Sequence, residues 1–318
     1  MKVTVVGAGG NVGSTVALSV AQRDFAKEVI AVDLERKEDD KTFYPSKGRA
    51  LDQWEASPIH LFDTRVKGTT DYADTANSDV CVITAGVPRR PGMSRDDLLE
   101  INANIVRSVT EQLVKHSPDT IIIVVSNPLD VMVQVAKDAS GLPYEKVMGM
   151  AGILDTARYR AFIAEELDVS PKDIQALLMG GHGDTMVPLP RFTTLAGMPI
   201  THFISDDRLE EIVNRAKKGG GEIVGLMGTS AWYAPGAAAA QMVEAILLDQ
   251  NRIFPVCAHI DGQYGVDDLY IGVPVKLGKG GVKEVIEVEL TKEESDLMHQ
   301  SADAVRGTLN DFKKLMNK

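Results

Sequence analysis

Seven residues, Gly7-Ala8-Gly9-Gly10-Asn11-Val12-Gly13, stand between a strand-like apolar run at 3–6 and a long apolar helical pattern. Glycines at a strand-to-helix turn let the backbone approach a pyrophosphate, and the free N–H groups and dipole of the helix start attract its negative charge. A second strand-like run, 29–32, ends at Asp33, about 20 residues after Gly13, where a carboxylate can accept hydrogen bonds from an adenosine ribose. Few architectures accommodate that succession, and it points to a βαβ unit built to hold a dinucleotide.

The loop is irregular. It reads G-x-G-x-x-x-G from Gly7, Gly9 and Gly13, or A-x-G-x-x-G from Ala8, Gly10 and Gly13. One residue must therefore bulge, and the sequence leaves open which glycine faces the phosphates. Asp33 would repel the 2′-phosphate of NADP and so favours NAD, although Arg36 and Lys37 close behind weaken that discrimination.

The rest of the first half continues the pattern. Further β-branched runs fall near 64–67 and at 80–84, 121–125 and 147–150, separated by helical stretches. Such runs read as buried parallel strands. Residues 1–149 are thus expected to form a doubly wound (Rossmann) α/β sheet that binds NAD. Residues 150–318 read as an α+β substrate-binding and catalytic domain. Helices are expected at 154–167, 206–218 and 235–249, a further apolar run at 174–179, and strands at 253–260, 270–277 and 282–290. Tight turns at Asp261-Gly262 and Lys279-Gly280-Gly281 make these last strands antiparallel. A final helix starts after Thr291, which with Glu294 has the spacing of a capping box.

Composition narrows the function. With 44% hydrophobic and 25% charged residues the chain has ample material for a core, and a net charge of −11 argues against a nucleic-acid or membrane-surface partner. Two cysteines, Cys81 and Cys257, are too few for a disulfide scaffold or a cysteine-rich metal site, and both fall in strand-like runs. No metal site is expected. Neither a membrane span nor a signal-peptide pattern is legible, so a cytoplasmic location is expected.

Three segments carry chemistry. Residues 84–95 form a Pro- and Gly-rich loop with Arg89, Arg90 and Arg95, which fits a cationic lid closing over an anion. Met179-Gly180-Gly181-His182-Gly183-Asp184 sets one histidine among three glycines at a strand end, where a substrate can reach an imidazole suited to reversible proton transfer. Asp155 and Arg158, three apart, share a helical face. An aspartate behind a histidine fixes its tautomer, and an arginine beside it can grip a carboxylate. Whether that face meets His182 is left open by the sequence.

Taken together, the glycine-rich start, Asp33, the 85–95 loop, Val125-Ser126-Asn127-Pro128, Leu154-Asp155-Thr156-Ala157-Arg158, the 180–184 segment and Gly272-Val273-Pro274 make the whole chain resemble the malate and lactate dehydrogenase family, particularly its lactate-dehydrogenase-like bacterial malate dehydrogenases. The resemblance implies reversible hydride transfer between NAD(H) and a small dicarboxylate, with His182 as proton donor and acceptor and Asp155 as its orienting carboxylate. It implies that Arg158 binds the substrate's C1 carboxylate, Arg95 polarises the reacting carbonyl and Arg89 binds the second carboxylate. Asn127 would touch substrate and nicotinamide, Asn102 would help hold the cofactor, and Gly7, Gly9, Gly10, Asn11, Val12, Gly13, Asp33 and Val125 complete the cofactor site. A homodimer or homotetramer is implied as well. The alternatives are a lactate dehydrogenase and, in a different class, an NADH-binding protein without turnover. The chain departs from the family in the extra glycine-loop residue and in a longer, heavily charged segment at 34–48, expected to be a solvated excursion beside the adenine pocket.

Overall fold

Aliphatic runs too short for helices form strands here because helices cover both faces of the sheet they build. The structure, a computed structural model, describes residues 1–88 and 94–316. β1 (Lys2–Val6) passes through the glycine turn into α1 (Asn11–Gln22) and β2 (Glu28–Val32). A hairpin of β3 (Arg36–Glu38) and β4 (Lys41–Phe43) precedes α2 (Pro45–Glu55) and the single turn α3 (Ser57–His60). Next come β5 (Arg65–Thr69), β6 (Val80–Ile83), α4 (Arg95–His116), β7 (Ile121–Val124), α5 (Leu129–Ser140) and β8 (Val147–Gly149). The second half opens with α6 (Gly152–Leu167) and the short strands β9 (Ile174–Gln175), β10 (Leu178–Met179), β11 (Val187–Pro188), β12 (Thr194–Leu195) and β13 (Met198–Pro199). It ends with α7 (Asp206–Met227), α8 (Tyr233–Leu247), β14 (Arg252–Ile260), β15 (Leu269–Gly278), β16 (Gly281–Val285) and α9 (Lys292–Met316).

Six parallel strands run in the order β5-β2-β1-β6-β7-β8, so the direction of winding reverses between β1 and β6. That reversal opens a crevice at the carboxyl ends of the strands, the place where open α/β sheets bind ligands. The sheet does not stop at residue 149. β14 pairs antiparallel with β8 at Cys257 and Gly149, and β15 and β16 follow, giving one nine-stranded sheet. Cys81 and Cys257 are both buried in it as free thiols.

The last helix has the expected capping box: Thr291 N donates to Glu294 Oε2 at 2.9 Å and Glu294 N to Thr291 Oγ1 at 3.2 Å. Three expected elements differ. The run 174–179 divides between two small sheets, Ile174 pairing with Leu195 and Met179 with Val187, because apolar patterning records burial but not partner. The strand expected over 282–290 ends at Val285. The helix expected to stop at 218 continues through Gly219, Gly220 and Gly221 to Met227. Each glycine costs a helix about 1 kcal/mol relative to alanine. Leu209, Ile212, Val213 and Ala216 anchor α7 in a core shared with Tyr159 and Ile163 of α6, and that packing carries it through. The 34–48 excursion is exposed along both hairpin strands, turns at Asp39 with φ 51°, and pairs Arg36 with Glu38.

The segment after β10 is sewn to the sheet. Gly180 N donates to Gly272 O at 2.8 Å and Gly272 N to Gly180 O at 3.1 Å. Gly180 has φ +83°, and a Cβ on Gly272 would overlap the Gly180 carbonyl oxygen. Both backbones are rigid there, so Gly272→Ala should destabilise the protein by about 1–3 kcal/mol, the usual cost of overpacking. Urea unfolding checks this, and an unchanged midpoint would show that the strands can part without cost.

Candidate active site

The glycine loop sorts its residues by steric demand. Gly7 turns with φ +88° as its amide reaches Val32 O at 2.9 Å, and a Cβ there would lie 2.7 Å from Ala85 N and from Thr84 Oγ1. At Gly13 a Cβ would overlap the Gly7 carbonyl oxygen, so that glycine lets α1 press onto the turn. Gly9 donates its amide to Asp33 Oδ2 at 2.7 Å. Gly10 caps the helix without a side chain, and Ser14 N is the first amide to bond back, to Gly10 O at 3.0 Å. The amides of Asn11, Val12 and Gly13 are left for an anion. Asp33 also accepts from Leu34 N at 2.8 Å, and each of its oxygens keeps a lone pair for a ribose hydroxyl. Arg49 of α2, not singled out in the sequence, donates to Asn11 Oδ1 at 2.9 Å and to Ser14 Oγ at 3.0 Å, clamping α2 onto the start of α1.

Beside this loop a cleft of about 620 Å³ opens between the two halves, reached by Val12, Asn102, Val125 and Asn127 from one side and by Asp155, Arg158 and His182 from the other. Asn102 is committed to the protein. Its Nδ2 donates to Val87 O at 3.2 Å and Asn127 O at 2.7 Å, while its Oδ1 accepts from Val87 N at 2.8 Å. Both amide hydrogens are used, so the side chain binds two cleft-lining loops to each other and has one lone pair left for a ligand. Arg89 lies outside the described residues, and of Arg95 only its place at the start of α4 is described. That start is fixed by a capping box: Ser94 Oγ accepts from Asp97 N at 3.0 Å, and Asp97 Oδ2 from Ser94 N at 3.0 Å.

The helical face left open by the sequence does meet the histidine. His182 Nδ1 is 2.8 Å from Asp155 Oδ2, and Arg158 Nη1 donates to Asp155 Oδ1 at 3.2 Å. Asp155 is only 2% exposed, and this arrangement leaves His182 Nε2 facing the cleft. Burial works against protonation of the imidazole, but Asp155, by charge and hydrogen bond, outweighs it, and the pKa of His182 lies above the ordinary histidine value. Arg158 keeps its Nε buried and without a partner among the described residues. The segment that carries His182 is also held through its backbone. The amides of Gly180, Gly181 and His182 are tied in succession to Gly272 O, to Ser301 Oγ at 2.8 Å and to Asp130 Oδ2 at 3.1 Å.

Lys217, Gly220 and Gly221 of α7 also line the cleft and were missed. Gly219 lies so close that a Cβ would sit 3.0 Å from Arg158 Cδ. A triple glycine inside an otherwise charged helix was the legible signal. Among the described residues no group of three or more His, Cys, Asp or Glu is placed to hold a metal ion.

A doubly wound sheet with bare helix-start amides in its crevice, and a histidine–aspartate pair beside them, has the architecture of a dinucleotide-dependent oxidoreductase. Residues 1–149 match the family described as lactate/malate dehydrogenase, NAD binding domain, and residues 153–316 the lactate/malate dehydrogenase, alpha/beta C-terminal domain. A malate dehydrogenase of Salinibacter ruber is 64% identical over 315 residues, covering 99% of this chain and 98% of the relative. A 1.55 Å structure of malate dehydrogenase from that organism superposes with a TM-score of 0.93 at 61% identity, covering 100% of this chain and 99% of the other. A Plasmodium falciparum malate dehydrogenase in complex with NADH aligns with a TM-score of 0.89 at 34% identity, covering 99% of both chains. The chain belongs to the lactate/malate dehydrogenase family.

The acid–base pair makes a direct prediction. Asp155→Asn should lower the His182 pKa by about 1–3 units, since an adjacent opposite charge is removed while burial remains. NMR titration of the imidazole reads this without catalysis. A midpoint that stays above about 6.5 in the variant would mean that Asp155 does not hold the proton on His182.

Proposed function

We propose that this chain is an NAD-dependent malate dehydrogenase that interconverts oxaloacetate and malate, with residues 1–149 binding the cofactor and residues 150–318 presenting the substrate-binding and catalytic groups. The carrying observation is Arg158. It spends one nitrogen on Asp155 and leaves Nε buried without an acceptor, in a cleft shared with His182. An arginine at the wall of such a cleft, with donors not spent on the protein, can grip a ligand carboxylate with two parallel hydrogen bonds.

The cofactor fits the residues present. Bare amides of Asn11, Val12 and Gly13 suit a pyrophosphate, Asp33 suits the ribose diol of NAD and repels a 2′-phosphate, and Arg36 is already paired with Glu38. When bound, the cofactor gives a hydride to the substrate's C2 or takes one from it. Arg158 would hold the C1 carboxylate and Arg89 the second carboxylate, with Arg95 polarising the C2 carbonyl. Asn127 would orient the substrate against the nicotinamide. Protonated His182 gives its Nε2 proton to the carbonyl oxygen as C2 is reduced, and Asp155 stabilises the imidazolium beforehand and fixes the Nδ1–H tautomer afterwards. Malate oxidation is the reverse, with neutral His182 accepting the hydroxyl proton. Because oxaloacetate reduction needs the charged imidazole, its kcat/KM holds at low pH and falls as pH rises through the elevated His182 pKa.

The second reading, a lactate dehydrogenase, turns on Arg89. An arginine pairs with a second carboxylate but is left desolvated and unpaired opposite a methyl group. Hydrogen bonds to charged groups contribute about 1.5–3 kcal/mol and an unpaired buried charge costs several, so together they separate the substrates by roughly three powers of ten. Arg89→Gln should therefore lower kcat/KM for oxaloacetate strongly and raise it for pyruvate, whereas Arg90→Gln leaves the ratio nearly unchanged. Steady-state NADH oxidation with each keto acid decides it: equal ratios in wild type and Arg89→Gln would place recognition of the second carboxylate elsewhere.

A homodimer or homotetramer is part of the proposal. It is supported by exposed apolar side chains on α2 and α3 and around the α7–α8 junction, among them Leu51, Ile59, Leu61, Leu226 and Tyr233. Sedimentation equilibrium at micromolar concentration should return twice or four times the chain mass, and a single-chain mass would refute assembly through this face. A cytoplasmic location is supported by the two buried free thiols. No helix among the described residues is long and apolar enough to cross a membrane.

A further inference from the structure

The mechanism leaves unused one half-buried carboxyl whose inner oxygen is enclosed. Asp130, in the first turn of α5, lies directly behind the histidine loop, where its Oδ2 accepts the backbone amide of His182 at 3.1 Å. Its Oδ1 is fully buried with no hydrogen-bond partner among the described residues. The neighbouring titratable groups are the His182 imidazole, Asp155 of α6 and the Cys257 thiol of β14. No lysine or arginine is among them.

We propose that Asp130 is a positioning residue for the proton transfer: an uncharged carboxylic acid that fixes the backbone of His182 while Asp155 fixes its ring, so that the imidazole is held at both ends. This deepens the malate dehydrogenase reading and rests on it for the kinetic tests only. Charge on Asp130 would be poorly tolerated. Among the described residues no N–H or O–H group reaches Oδ1, Asp155 already supplies the imidazolium with its counter-charge, and the Cys257 thiol offers only a weak hydrogen bond. Burial accordingly pushes the Asp130 pKa up, against the attraction of His182, the Cys257 thiol and the His182 amide. First-turn amides of α5 favour a negative charge, but that effect is small beside the cost of burying an unpaired carboxylate.

A neutral acid and an amide are near-isosteric, which makes the test sharp. Asp130→Ala removes the acceptor and should lower kcat roughly 10–100-fold through misplacement of the ring, leaving KM for NADH unchanged. In the same enzyme the His182 amide should exchange with solvent faster. Asp130→Asn restores the acceptor oxygen and should rescue kcat and amide protection, with the NMR titration midpoint of the His182 imidazole unmoved. A fall of that midpoint by about one unit or more in Asp130→Asn would show that Asp130 is ionised and overturn the proposal. So would full kcat in Asp130→Ala, or failure of Asn to rescue. Should the alanine variant not fold, Asp130→Asn decides alone through its midpoint and amide protection. If wild-type enzyme did not oxidise NADH with oxaloacetate, the activity assigned above would fail, while the midpoint and the amide exchange would still judge Asp130.

Discussion

Two glycine backbones in contact, Gly180 against Gly272, position everything that the cleft can do. Their reciprocal hydrogen bonds bring the end of β10 against β15, a strand of the sheet whose far end carries the glycine loop and Asp33. Because β14 pairs directly with β8, the histidine segment and the dinucleotide crevice are anchored to a single hydrogen-bonded sheet rather than to two bodies joined by a linker. Proton transfer and hydride transfer must occur within a few tenths of an ångström of a productive geometry, and a continuous sheet is a stiff way to fix the distance between their donors.

What was legible in the sequence follows from how local each signal is. The β1 turn, Asp33 and the capping box at Thr291 and Glu294 are decided by residues within a few positions of one another or by a fixed βαβ spacing, and the structure reproduces them. The meeting of Asp155 with His182 was not legible, because 27 positions separate them and only the fold of β9 and β10 closes the gap. The glycines flanking His182 show the same limit. Gly180 turns with φ +83° against Ser301 of the last helix, and Gly272 is required by the Gly180 carbonyl oxygen, contacts between distant positions that no local pattern announces. The run 174–179 was correctly apolar yet wrongly whole, since hydropathy reports depth and not pairing. The helix was expected to end before Gly219, Gly220 and Gly221, when the bare surface of the first two accommodates Arg158.

Asp155 carries two partners on a nearly inaccessible side chain, one oxygen toward the imidazole and the other toward the guanidinium. The arrangement couples the two tasks of the cleft. Arg158 lowers the proton affinity of His182 while Asp155 raises it, so the histidine pKa reflects a balance that a bound carboxylate would shift by neutralising the arginine. On the proposed roles, substrate binding would therefore strengthen the hold of His182 on its proton and favour the charge state needed for reduction. The same coupling explains why a second ionised carboxyl behind the loop would be unwelcome: it would pull that balance toward a permanently charged imidazole and impede the reverse reaction.

A chain of net charge −11 would repel a dianionic substrate over most of its surface. The cleft reverses that sign locally with Arg158 and Lys217. On the other side of the crevice the two cations that would soften discrimination against a 2′-phosphate are paired on an exposed hairpin, Arg36 with Glu38 and Lys37 with Glu35. Cations thus face the cleft where a carboxylate would bind, while those of the hairpin beside Asp33 are paired with glutamates. On the proposed roles, selectivity for the dicarboxylate and for NAD would rest on the placement of arginines rather than on their number, since an exposed ion pair contributes little stability but fixes where the field is cancelled.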